Sequence, residues 1–81
     1  MNDRSEAAIE LALADDWHGA HGIIQHLNDP VACWIHAILH KIEGDAWNSR
    51  YWYARSEGRR YEDFSEPRME LEAVRAFLRR D

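Results

Sequence analysis

The chain has 81 residues, 46% of them hydrophobic, and a formal net charge of −5. That length makes one domain with a thin core, and the apolar fraction argues against disorder. The acidic balance argues against nonspecific binding to nucleic acid or to an anionic membrane, both of which reward excess Lys and Arg.

The arginines concentrate in the last third, where Arg59, Arg60, Arg68, Arg75, Arg79 and Arg80 alternate with acidic residues from Glu57 to Asp81. This is a mixed surface and not a basic patch. Cys33 is the single cysteine, so no disulfide can form within the chain, and a reducing cytoplasm is the expected compartment. The opening "MNDRSEAAIELAL" does not read as a signal peptide, and no apolar run is long enough to cross a bilayer.

Helix signals run through the whole sequence, and strand alternation is nearly absent. Asp3 with Glu6 resembles a capping box, and a helix is predicted over 4–15 with Ile9, Leu11 and Leu13. Asp16 caps a second helix, 17–28, with Trp17, Ala20, Ile23, Ile24 and Leu27 on one face. Gly19 and Gly22 weaken it by roughly 1 kcal/mol each relative to Ala, for the sake of close helix approach or simply tolerated. Asp29-Pro30 is a strong start signal for a third helix, 30–43, which Gly44 ends in a left-handed turn. Asp45 caps a fourth, 46–57, ending near Gly58. After the polar connection "RRYEDFSE", Ser65 or Glu66 with Pro67 begins a fifth, 66–80, with Leu71, Val74, Phe77 and Leu78 buried. The expected fold is therefore all-α: a compact bundle of about five short helices, with tight turns making neighbours antiparallel, as stacked helical hairpins.

A weak internal repeat fits that picture. "DWHGAHGII" and "DAWNSRYWY" each begin on an Asp cap and place a small residue, Ala20 or Ser49, four positions on. Gly44, Asp45, Ser49, Trp52, Tyr53, Arg55 and Ser56 stand in the register of a Gly-Asp turn, a small residue, Trp-Tyr and a basic-small pair. In this the segment resembles a single tetratricopeptide-like repeat of the Sel1 class, with Ser49 and Ser56 where the repeat usually has alanine. The resemblance implies helical-hairpin geometry. A longer pattern covers roughly residues 16 to 56. It runs through Ala20, His21 and Gln25, then Trp34, His36, Ala37, Leu39, His40, Glu43, Gly44 and Asp45, then Asn48, Tyr51, Trp52 and Tyr53. In this it is similar to a group of small, all-helical bacterial proteins. That resemblance implies no activity, only that the polar residues belong to one constellation.

On a helical wheel, Val31, Trp34, Ile35, Ile38 and Ile42 of the third helix form an apolar face. His36, His40 and Glu43 fall together on another, within roughly 60° of one another. Lys41 lies elsewhere. The second helix has a matching stripe of His21, Gln25 and Asn28, with His18 nearby and His26 pointing away. Asn48, Tyr51 and Arg55 share a side of the fourth helix, and the three stripes can converge if the helices stack in sequence.

Two histidines at i and i+4 can chelate one metal, with Glu43 as a third ligand or as an acceptor for an imidazole N–H, and with His21 closing the set. Such an N,O site suits Zn²⁺, Fe²⁺ or Ni²⁺. It is not the H-E-x-x-H protease motif, since Ala37 stands where the catalytic Glu would be. Two blander readings stand beside it. The stripe can be a solvated helix face, or an interior hydrogen-bonded network joining the histidines to Glu43, Gln25, Asn48, Tyr51 and Arg55, the last four of which would also line a ligand site.

Other chemistry has less support. Cys33 reads as a small core residue, and the Trp and Tyr residues read as core and not as a stacking platform for bases. Glu43 and Asp45 do not form a paired-carboxylate site, because Gly44 separates a helix end from a cap. No Gly-rich phosphate loop occurs. The expected function is a protein-interaction or self-associating module, with a protein partner or a second copy as its ligand, and enzymatic activity is left open. The alternative is a metal- or small-ligand-binding protein, enzymatic or not, built on His21, His36, His40 and Glu43.

Overall fold

A computed structural model describes the backbone of residues 3–80 and the side chains of 4–80. The capping role expected of the Asp3 side chain lies outside the described residues, as does Asp81. Five α-helices follow one another: α1 (Asp3–Leu13), α2 (Trp17–Ile24), α3 (Pro30–Ile42), α4 (Ala46–Tyr53) and α5 (Pro67–Arg79). A single 3₁₀ turn, Tyr61–Asp63, interrupts the connection between α4 and α5, and there is no strand among the described residues.

Three of the helices start as their sequences dictate. Asp16 accepts a hydrogen bond from the Gly19 amide, Asp29 from Ala32 and Asp45 from Asn48, each satisfying a backbone N–H that has no partner inside the helix. Gly19 serves its own cap: a Cβ there would collide with the Asp16 carboxylate. Gly22 faces open space. Gly44 ends α3 at φ +85°, where a side chain would be strained. At α5, Pro67 follows Glu66 at the cap position, but the Glu66 side chain makes no capping bond.

Two helices stop four residues short of their predicted ends, where the others differ by one or two. α2 ends at Ile24, four residues before Asn28. The chain tightens there, with Leu27 N–H on the Ile24 carbonyl, because Asp29 must be extended (ψ 159°) to start α3 on Pro30. α4 stops at Tyr53, not near Gly58. The amides of Arg55 and Ser56 reach back to Trp52 and Tyr53, and Glu57 itself takes a left-handed conformation at φ 61° before Gly58.

α3 is the hub, packed against all four other helices. Every residue from Ala32 to His40 is buried, so α3 does not have one apolar and one wet face. Ile35, Ile38 and Leu39 join Ile9, Ile24, Leu71 and Val74 in the core. α4 comes close to α3 through Ser49, whose hydroxyl donates to the Ala37 carbonyl at 2.7 Å from a fully buried position. The apolar face predicted for α3 fails at one end, since Ile42 is 43% exposed at the last turn. The aromatic set is also not all core: Trp34 and Tyr53 are buried, but Trp47 is 74% exposed and Tyr51 41%.

Candidate metal centre

α2 and α4 both pack against α3, and their side chains meet over one stretch of it. His36 and His40 rise from consecutive turns of α3 with ring centroids 5.0 Å apart. Both are buried, at 4% and 9% exposure, so the solvated-face reading does not describe them. His21 comes down from α2, its ring 4.9 Å from His36 and 5.5 Å from His40, edge-on to both. One ring nitrogen from each of the three lies within 4.8 Å of the others.

The walls are tryptophan. Trp17 stacks on His21 at 4.7 Å and is fixed by its own indole N–H, which donates to the Leu39 carbonyl. Trp52 stacks on His36 at 4.0 Å from the α4 side. Such ring pairs add about 0.5–1.5 kcal/mol each beyond the area they bury. They also set the imidazole planes before any ligand arrives.

The ring nitrogens are prepared differently. His40 Nδ1 lies 2.6 Å from Glu43 Oε2, one turn along α3. A carboxylate in that position orients the ring and leaves Nε2 as the donor for a metal. His36 Nδ1 is buried with no hydrogen-bond partner. An orphaned buried nitrogen is costly, by about 1–3 kcal/mol, and calls for an explanation. Burial pushes the His36 pKa down to about 4, with the neighbouring His40 and His21 adding to the effect. Burial lowers His21 as well. Neutral imidazoles are the form a metal needs.

The other polar residues proposed for this constellation do not join it. Gln25 is exposed on the turn after α2. Asn48 Nδ2 donates to Asp45 at 2.8 Å, so it serves the α4 cap. Those bonds hold the Asp45 carboxyl below its usual range, and they occupy both oxygens of the one further acid near His40 and Glu43. Tyr51 faces outward between Trp47, stacked at 6.0 Å, and the Arg55 guanidinium, 3.9 Å from its ring. No hydrogen bond joins a histidine to Gln25, Asn48, Tyr51 or Arg55 among the described residues, so the bonded partner within the cluster is Glu43. His18 is exposed and meets Trp17 edge-on. Cys33 is buried, with its thiol on the Asn28 carbonyl and its pKa raised by burial, as suits a core residue.

A second polar centre escaped the sequence reading. Glu70 is fully buried and receives Lys41 Nζ at 2.8 Å, Trp34 Nε1 at 2.8 Å and the Tyr53 hydroxyl at 2.7 Å. Lys41 also donates to the carbonyls of Tyr61 and Phe64, tying the α4–α5 connection to α3. Burial, reinforced by the bond to Glu70, raises the Tyr53 pKa, so the phenol stays protonated. Every donor and acceptor here is used, which makes this centre architectural. Its signal was in the sequence: Lys41 lies seven residues after Trp34, and Glu70 four before Val74 and seven before Phe77. Both charges therefore stand in apolar register.

No family model, no curated protein and no solved structure matches this chain.

Proposed function

We propose that this protein binds one divalent transition-metal ion through His21, His36 and His40, with Glu43 holding His40 from behind. The observation that carries the reading is the three ring nitrogens within 4.8 Å of one another, drawn from two helices. A tetrahedral ion with bonds of about 2.0–2.1 Å sets its donors roughly 3.4 Å apart, so modest side-chain rotation closes the set on an ion. Three imidazole nitrogens suit Zn²⁺ best, with Fe²⁺ and Ni²⁺ as competitors. The test is thermal unfolding of protein made without a polyhistidine tag. Saturating Zn²⁺ at 100 times its Kd should stabilise by about 2.7 kcal/mol, and a chelator should reverse it. His21→Ala should abolish the response, and an unchanged melting temperature in the unsubstituted protein would refute the proposal.

A second reading is favoured by one feature, the exposed Trp47–Tyr51 pair on α4. An exposed tryptophan beside a tyrosine is an uncommon surface and suits a protein partner or a second copy. In that reading the chain is an interaction module of stacked, antiparallel helical hairpins of the Sel1-like kind, in a bacterial cytoplasm. Sedimentation in which Trp47→Ser lowers the mass of a dimer supports it. A strict monomer that captures no partner counts against it.

A further inference from the structure

Resting on the metal reading, we infer that this centre is open: a bound ion takes three protein imidazoles and one exogenous anion. Three observations lead there. The donor set stops at three, because among the described residues no fourth His, Cys, Asp or Glu places a ligand atom within reach of all of them. A four-coordinate ion must then complete its shell from solution.

The fold also does not depend on the ion. α2 is held by the buried Ala20 and Ile24 and by the Trp17–Leu39 hydrogen bond, and α3 by core contacts along its whole length. In zinc fingers and many small metallo-domains, by contrast, the chain has no such core and the metal supplies the folding energy. Here tryptophan stacking already positions His21 and His36, and Glu43 holds His40, which is the economy of a site that acts on a ligand.

Burial and charge then say what the ligand is. His36 and His40 are buried, whereas His21 is partly exposed, so the open side of the site is the α2 side. Neutral imidazoles carry no charge to cancel the ion's two positive charges, and the two carboxylates nearby are not ligands: Glu43 is engaged by His40 Nδ1 and Asp45 by the α4 cap. The fourth position therefore favours an anion over a neutral donor. In water alone a zinc ion there would carry water or hydroxide, since zinc brings the pKa of bound water to about 7.

The test loads the metal-free full chain with Co²⁺ and follows its visible spectrum while sodium azide is added. The inference predicts an intense tetrahedral Co²⁺ spectrum that shifts saturably, with one azide per metal. The same shift should persist in His18→Ala, because His18 lies outside the set. A Co²⁺ spectrum indifferent to azide means a closed shell and overturns the inference while leaving metal binding intact. An azide response that appears only in His18→Ala overturns it too, by naming His18 as the fourth ligand. Failure to bind Co²⁺ at all overturns the metal reading itself, and this inference with it.

Discussion

At the scale of single residues, two buried groups dominate the chemistry of this protein. His36 sits between His21 and Trp52 with a ring nitrogen that finds no partner. Its native pKa lies near 4 and its ordinary value is 6.5. Between those values the unfolded chain binds a proton that the native chain refuses, so stability falls as pH falls. At about 1.4 kcal/mol per pH unit the loss reaches roughly 3 kcal/mol by pH 4 in metal-free protein. His21, lowered in the same sense, adds to it. Urea titrations from pH 7 to 4 should show this slope, and His36→Phe, which keeps a ring against Trp52, should flatten it. Glu70 is the second group. Glu70→Gln leaves the Lys41 ammonium buried without a counter-charge, at a cost of about 3–5 kcal/mol. Replacing both with apolar residues should not restore stability, because Trp34, Tyr53, Tyr61 and Phe64 would each lose a hydrogen bond to the pair. Urea midpoints of the single and double variants decide this.

At the scale of helices, the caps were readable and two of the ends were not. Asp16, Asp29-Pro30, Asp45 and Gly44 act locally, through bonds within three residues, so sequence alone places them. The ends of α2 and α4 depend on where the next element must start, which is not a local property. The two glycines of α2 separate by what lies beside each of them. Gly19→Ala should leave stability nearly unchanged, because displacing the Asp16 cap costs about 1 kcal/mol and offsets the gain in helix propensity. Gly22→Ala meets open space and should stabilise by about 0.4–1 kcal/mol, through a less flexible unfolded chain. Thermal unfolding should therefore move upward for Gly22→Ala and hold nearly still for Gly19→Ala.

At the scale of the molecule, the helical wheel of α3 sorted the histidines correctly onto one stripe but could not place that stripe indoors. Burial is decided by α2 and α4 packing on either side of α3, and a single helix carries no record of that. His21 joined His36 and His40 because Trp17 ties α2 to Leu39. Gln25 did not join them, because α2 ends at Ile24 and leaves it on the surface. Asn48 was already committed to its cap, and Tyr51 and Arg55 pair with each other on the outer side of α4. What the packing leaves is a preformed trio of imidazoles with one oriented from behind and tryptophans on two sides.

Calorimetric titration of Zn²⁺ into tag-free, chelator-treated protein tests that trio most directly. One ion should bind per chain, His21→Ala and His40→Ala should each abolish binding, and Glu43→Gln should weaken it by about 10–100-fold. Absence of saturable binding, or binding that survives both histidine substitutions, would contradict the account.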